Sequence, residues 1–349
     1  MENTMITSKN LLGKRFGLCF LPTPLHPLKN LSKRYSDYQL FIKRDDLTGL
    51  ATGGNKARKL EFFIHDALRA ECDTVITAGA QQSNHCRQTA AACSVAGLEC
   101  HLMLGGEEPK IYEGNLLLSH LLGAHIRFTG GHRKGEDLPE MKSRLERQHK
   151  KCWVIPYGGS DAIGALGYVN AVAELQEQMS RQSVRFDYIF FACSSGGTQA
   201  GLLLGAELFG LTARLMPVSI DKENTHGRTL EENVLAIVQD ASRALGLKRT
   251  FTIQDINLIR GYDSAGYGNV TEEEIIAMKL LAGTEGILLD PVYTGRAFHA
   301  MLDYLDTGKV RPHSSILFLH TGGLPSLFNS GASLREPESK PGPLTSSQR

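Results

Sequence analysis

Lys56 is placed for covalent chemistry. It stands in Thr52-Gly53-Gly54-Asn55-Lys56-Ala57-Arg58-Lys59-Leu60-Glu61-Phe62, where paired glycines lead straight into a helical pattern. Glycines let the backbone come close to a ligand. A lysine at a helix start, with a second cation one turn on at Lys59, loses its proton more readily. The neutral amine attacks carbonyls, which is what a Schiff-base lysine must do. Such a lysine needs partners: groups that hold the carbonyl compound, and groups that move protons beside it.

Three further segments could supply them. Ser194-Ser195-Gly196-Gly197-Thr198 lies between a strand pattern and a helix pattern. Small residues there expose successive N–H groups at a helix N-terminus, which suits a phosphate, and Lys59 is a second candidate contact to it. The segment is neither GxGxxG nor GxxxxGK[ST], so a dinucleotide fingerprint and a P-loop are disfavoured. Read alone, it is equally a tight strand-to-helix turn. Gln82-Ser83-Asn84-His85 precedes another helix. Ser83 is either the N-cap of that helix or, with Gln82 and Asn84, part of a carboxylate site, and the two roles compete for one oxygen. Tyr293, in the polar break Asp290-Pro291-Val292-Tyr293-Thr294-Gly295-Arg296-Ala297, and Tyr267, between Gly266 and Gly268, are candidate acid/base groups, although a loop tyrosine also has a structural reading. His85, His101 and His320 have no HExxH-like spacing, so no metal site is expected, and no GxSxG elbow is present.

The elements around these residues alternate. Strands are expected at residues 38–43, 74–77, 100–104, 124–128, 153–156, 188–192 and 315–320. Helices are expected over 56–70, 83–96, 116–122 and 161–179, after 198, and from Thr271, which opens a capping box with Glu274. Apolar strands separated by helices predict an α/β chain with parallel sheets covered on both faces. Polar loops after four strands (residues 81–84, 158–160, 194–198 and 321–323) suggest one shared crevice. The chain has 349 residues, which suits two domains: a small one over 57–160 inserted into a large one built from 1–56 and 161–330. Residues 331–349 are rich in Ser, Pro and Glu and read as disordered. A net charge of +1 implies no attraction to nucleic acid or anionic membrane, and no apolar run is long enough to span a bilayer. The 7 cysteines are odd in number and contain no CxxC pair, so a reducing, cytoplasmic setting is expected.

Taken together, these segments resemble the fold-type II pyridoxal 5'-phosphate (PLP) enzymes, tryptophan synthase β-like in fold, of the family that holds D-cysteine desulfhydrase, 1-aminocyclopropane-1-carboxylate (ACC) deaminase and L-cysteate sulfo-lyase. The matching runs are residues 43–49, 53–62, 82–85 with 87–91, 158–160 with 164–169, 195–201, 290–297 and 320–323, spread over roughly residues 20–328. The resemblance implies a homodimeric lyase acting on a small amino acid. It makes Lys56 the cofactor-bearing lysine, and Lys59 with Ser194, Ser195, Gly196, Gly197 and Thr198 the phosphate group. Asn84 would lie against the cofactor ring, and Gln82, Ser83 and Asn84 would take the substrate carboxylate. Tyr293 and Tyr267 match the two active-site tyrosines, with Ser83 beside them in catalysis. Thr294 and Thr321 would also contact the cofactor: ACC deaminases carry a glutamate where this chain has Thr294, and His-Leu-Gly-Gly where it has His320-Thr321-Gly322-Gly323. A neutral threonine does not keep the ring nitrogen protonated as a carboxylate does. The implied reaction is therefore β-elimination, with D-cysteine the first substrate and L-cysteate or ACC the alternatives. A PLP-binding protein without turnover is the reading of another class.

Overall fold

The computed structural model describes residues 15–221, 224–225 and 227–331. Residues 1–14, and the Ser/Pro/Glu tail from residue 332, lie outside the described residues. The chain opens with β1 (Leu25–Pro27), α1 (Lys29–Arg34) and β2 (Gln39–Arg44). Next come α2 (Lys56–Arg69), β3 (Thr74–Ala80), α3 (Asn84–Ala96), β4 (Glu99–Gly105), α4 (Gly114–Leu121), β5 (His125–Phe128), α5 (Leu138–Glu146) and β6 (Cys152–Val154). It returns through α6 (Ala162–Gln182), β7 (Tyr188–Cys193), α7 (Gly197–Phe209), β8 (Arg214–Ser219), α8 (Leu230–Leu245), α9 (Glu272–Glu285), α10 (Thr294–Asp306) and β9 (Ser315–His320).

The strands form two sheets, β1-β2-β9-β7-β8 and β5-β4-β3-β6. Every pairing is parallel except β1 with β2. The apolar runs in β3, β7 and β9 are buried because helices cover both faces, as the lack of alternation implied. Helix starts follow their capping residues. Ser83 accepts from Cys86 N–H, Asp161 from Gly164 N–H, and Thr271 and Glu274 close the expected box. The sequence reading left β1, α1, α5, β8 and α8 unassigned.

Helix α6 sets the spacing of the interior. A Cβ on Gly167 would lie 2.5 Å from the Arg58 carbonyl oxygen, and one on Gly201 would lie 2.3 Å from that of Ala165. Backbone therefore meets backbone where α2, α6 and α7 cross, which draws the N-termini of α2 and α7 together.

A buried ion network holds α2 against β2 and α6. Arg58 donates to both oxygens of Asp45 at 2.8 Å and to Glu174 at 2.9 Å. Tyr168 and Thr23 each donate to Asp45 at 2.7 Å, and Lys43 pairs with Glu174. Burial pushes the Asp45 carboxyl up, but the Arg58 guanidinium outweighs it and holds the group down at about 2. A carboxyl lowered in the folded state stabilises the fold above the ordinary carboxylate range, and that contribution is lost as pH falls toward the folded value. Arg58→Met leaves the buried Asp45 carboxylate without its cation, and is expected to cost about 3–5 kcal/mol at neutral pH. The deficit against the parent should narrow between about pH 4 and pH 2. Denaturant melts across that range check both the size and the sign.

Candidate active site

The loops at the C-terminal strand ends of both sheets face one another across a cavity. Lys56, the first residue of α2, reaches it because the turn before it is pinned from two directions. Asn55 N–H donates to the Thr321 carbonyl at 2.9 Å, and Asn55 Nδ2 donates to Thr198 Oγ1 at 3.1 Å. Lys56 Nζ donates to the Gly158 carbonyl at 3.1 Å, and Lys59 Nζ approaches the same oxygen at 3.3 Å. Burial lowers Lys56 to about 8. Burial, with the neighbouring Lys56 charge, lowers Lys59 well below the usual lysine range. Among the described residues no carboxylate forms an ion pair with either amine.

Lys59 lies behind the wall at the start of α7. Its Nζ is 3.2 Å from Ser160 Oγ, which is 2.7 Å from Ser195 Oγ and accepts from Gly197 N–H at 3.2 Å. Gly196 enters the helix at φ 88°, a left-handed conformation that favours glycine. A Cβ on Gly197 would lie 2.8 Å from Lys59 Nζ. Backbone N–H groups, two hydroxyls and a buried amine thus converge at one helix N-terminus, the donor set that an anion requires.

Ser83, Asn84, Ser194, Ser195, Gly196, Thr198, Tyr267, Tyr293 and Thr321 all line the cavity with Lys56. The capping reading of Ser83 holds: its oxygen caps α3 at 3.1 Å from Cys86 N, and the same side chain lines the cavity. Two expected contacts are turned elsewhere. Gln82 accepts from Asn115 N–H at 2.9 Å and donates to the Glu113 carbonyl at 3.1 Å, outside the cavity lining. Thr294 is fully buried; its hydroxyl donates to Asp290 at 2.7 Å and accepts from Asp290 N–H at 2.8 Å. In each case other groups take the polar atoms: backbone of Glu113 and Asn115 for Gln82, and the carboxylate and N–H of Asp290 for Thr294.

The tyrosines meet. Tyr267 and Tyr293 hydroxyls are 2.5 Å apart, with the rings edge to face. Burial pushes both phenols up, Tyr293 well above its usual range. Asp290 fixes the Tyr293 turn by accepting from the N–H groups of Val292, Tyr293 and Thr294 at 3.0, 2.9 and 2.7 Å. Buried Arg296 fixes the Tyr267 loop: paired with Glu274 at 2.6 Å, it donates to the carbonyls of Gly266 at 3.2 Å and Asn269 at 2.7 Å.

Sequence reasoning missed several of these residues. Tyr157, another lining residue, precedes the Gly158-Gly159 pair, which was a usable signal. Asp290 and Arg296 act on backbone several residues away, and no spacing rule exposes that. His85 was weighed only as a metal ligand. Thr77 Oγ1 donates to the Ile155 carbonyl at 2.8 Å, so it accepts from His85 Nε2–H at 2.8 Å. This leaves Nδ1 as a buried lone pair without a partner in the cavity wall. Burial and the two lysines keep the ring neutral. Away from the cavity, His101 and His125 stack on adjacent strands beside Glu99, a grouping with metal-ligand atoms that spacing alone did not reveal. Glu99 is also paired there with Lys150.

Comparison with known proteins decides the family. The family model described as pyridoxal-phosphate dependent enzyme matches residues 18–322. The chain belongs to the pyridoxal-phosphate-dependent enzymes. A D-cysteine desulfhydrase of Yersinia enterocolitica is 43% identical over 312 residues, covering 88% of this chain and 92% of its own. A candidate ACC deaminase of Pyrococcus abyssi is 39% identical over 317 residues, covering 90% and 93%. The crystal structure of an ACC deaminase homologue superposes with a TM-score of 0.85 at 36% identity, covering 96% of this chain and 99% of the other. The fold is that of the fold-type II PLP enzymes.

The residues present fit the PLP family's cofactor. A buried amine without a carboxylate stands beside an N-terminal cradle, and a second amine of lowered basicity stands one turn away. The neutral imidazole is also testable. Thr77→Val leaves His85 Nε2–H without an acceptor and should destabilise the protein by about 1–3 kcal/mol. Nitrogen NMR of the parent should show the Nε2–H tautomer, unprotonated through the range where free histidine titrates.

Proposed function

We propose that this protein is a PLP-dependent lyase that eliminates sulfide from D-cysteine, giving pyruvate, hydrogen sulfide and ammonia with uptake of one water. The observation that carries the reading is the convergence, in one cavity, of Lys56 with a lowered amine, an anion cradle and a hydroxyl-bonded tyrosine pair. The naming of the similar desulfhydrases supplies the substrate.

In this reading Lys56 bears the cofactor, and Lys59 with Ser194, Ser195 and the start of α7 from Gly196 to Thr198 holds its phosphate. Asn84 borders the ring, with Thr321 nearby. Gln82 and Thr294 are left out as direct contacts, because their polar groups are already used. When bound, the cofactor draws electrons from the substrate's Cα and so loosens its C–H bond. Ser83 O–H and Asn84 orient the substrate carboxylate. The Cα proton goes to Lys56 Nζ, the neutral amine; Tyr293, whose phenol burial keeps protonated, is a proton donor, and Tyr267 holds Tyr293 in line. Sulfide then leaves Cβ, and the unsaturated amino acid hydrolyses in water.

The same proposal assigns residues 57–160 to a small domain inserted into a large one made of 1–56 and 161–330. The four-stranded sheet lying wholly within 57–160 supports that division. It makes the enzyme a homodimer, as the family resemblance implies. It also places the enzyme in the cytoplasm, consistent with seven free cysteines. Among the described residues, no helix is long and apolar enough to cross a membrane.

A substrate panel tests the activity: D-cysteine, L-cysteine, L-cysteate, β-chloro-D-alanine and ACC, scored for pyruvate or 2-oxobutyrate. The expected result is pyruvate from D-cysteine, faster than any product from L-cysteate or ACC. A visible cofactor band with no turnover of any amino acid would instead identify a binding protein. Lys56→Ala should lose turnover by about a thousand-fold or more. A second measurement follows the amine itself. Because only neutral lysine captures an aldehyde, the rate at which cofactor-free protein takes up PLP should climb with pH and level off above about 8. A climb continuing to the ordinary lysine range would contradict the lowered amine.

A further inference from the structure

The segment after β5 reaches the Tyr267 ring. It is built onto the end of β4. Gly106 and Gly130 exchange backbone hydrogen bonds at 2.6 and 3.2 Å, and a Cβ on Gly105 would lie 2.5 Å from Arg133 Cβ. Arg133 therefore leaves a fixed backbone position. Its guanidinium carbon sits 4.5 Å from the centre of the Tyr267 ring, and Nη2 donates to Asp221 at 2.8 Å. Asp221 follows β8 and is buried. Lys134 adds a contact at 3.6 Å to the same carboxylate and donates to the Asn224 carbonyl at 3.1 Å. Two sheets that share no strand pairing are thus clasped at one point, and the clasped side chain is the tyrosine whose hydroxyl meets Tyr293.

We propose that Arg133 is a positioning residue for the reaction: stacked on Tyr267 and anchored by Asp221, it fixes the Tyr267 hydroxyl against Tyr293 and so orients the acid/base pair. This rests on the reading that the tyrosine pair serves the substrate. Arg296 holds the backbone of the Tyr267 loop, but among the described contacts only Arg133 covers the face of the ring. A guanidinium on an aromatic face is an attractive contact that strengthens as water is excluded. Misplacing a reacting group by a fraction of its contact distance lowers turnover steeply. The charge also matters: burial pushes the Tyr267 phenol up, and the Tyr293 hydrogen bond and then the Arg133 charge pull against it.

The test uses the PLP-loaded enzyme and whichever panel substrate it turns over fastest. Arg133→Met should lower kcat about 10-fold with little change in KM. Arg133→Lys, which keeps the charge near Asp221 but loses the planar stack, should recover part of that loss. A double-mutant cycle separates positioning from general loosening. In a Tyr267→Phe background the hydroxyl being aimed is gone, so Arg133→Met should lower kcat by less than about two-fold further. Circular dichroism and the cofactor band serve as folding controls. If Arg133→Met does not fold, the cycle is run with Arg133→Lys. An Arg133 variant with the parent's kcat, while Tyr267→Phe is impaired, removes this proposal alone. Fully additive losses in the cycle also remove it. A Tyr267→Phe enzyme as fast as the parent removes both the tyrosine's role and the inference built on it.

Discussion

Two amines, Lys56 lining the cavity and Lys59 behind its wall, point at one carbonyl oxygen, that of Gly158, and among the described residues no carboxylate pairs with either. This arrangement is unfavourable in isolation. Like charges in a low-dielectric setting repel, and burial removes the water that would screen them. The fold tolerates it because the nearby acids are consumed elsewhere. Asp45 and Glu174 lie on the other side of α2, bound to Arg58 and Lys43. One helix therefore carries three cations in four residues and sorts them: Arg58 takes the acids and anchors the helix, and the two lysines are left to shed protons or to meet an anion. A structure that gave either lysine an aspartate would be more stable without ligand and less suited to a doubly charged phosphate beside a nucleophilic amine.

The remaining geometry keeps that arrangement rigid. The turn before Lys56 is tied to the end of β9 by Asn55 N–H and to α7 by Asn55 Nδ2. The tyrosine side of the cavity depends on two buried hubs. Asp290 spends its carboxylate on the turn that presents Tyr293, and Arg296 spends its guanidinium on the loop that presents Tyr267. Neither hub lines the cavity. Both act by satisfying backbone groups that a tight, buried loop would otherwise leave unpaired, a penalty of about 1–3 kcal/mol each. Such residues are costly to replace although they touch no ligand.

Much of this was legible in the sequence for identifiable reasons. Glycines and hydroxyl residues after apolar strands marked the loops that meet at the cavity, and cap residues marked the starts of α3, α6 and α9. The failures were equally specific. β8 carries Pro217 and reads poorly as a strand, yet it pairs with β7 at the sheet edge, where a missing N–H is tolerated. Helix α8 had its signal, Thr229 with Glu232 three residues on, the same box that revealed α9. Gln82 and Thr294 were in the right loops but faced the wrong way. Spacing fixes which face of a helix a residue occupies, but it does not fix which loop side chain finds a backbone partner first. His101 and His125 are 24 positions apart in sequence, and only strand register stacks them.

The proton inventory of the site narrows the chemistry that suits it. The amines are lowered, the phenols are raised, and the lining imidazole has its one proton tied to Thr77. Among the described lining residues none is a carboxylic acid. A leaving group that departs as a carbanion, or that needs a strong acid at the moment of departure, finds little help here. Sulfur leaves readily as an anion and can take its proton afterwards from solvent or from the tyrosine pair. The same balance favours removing a proton from carbon, because a neutral amine beside a site that attracts an anion acts as a base close to neutral pH. The division between base and leaving group thus follows from what burial does to each side chain, and the clasp between the two sheets decides whether those side chains meet.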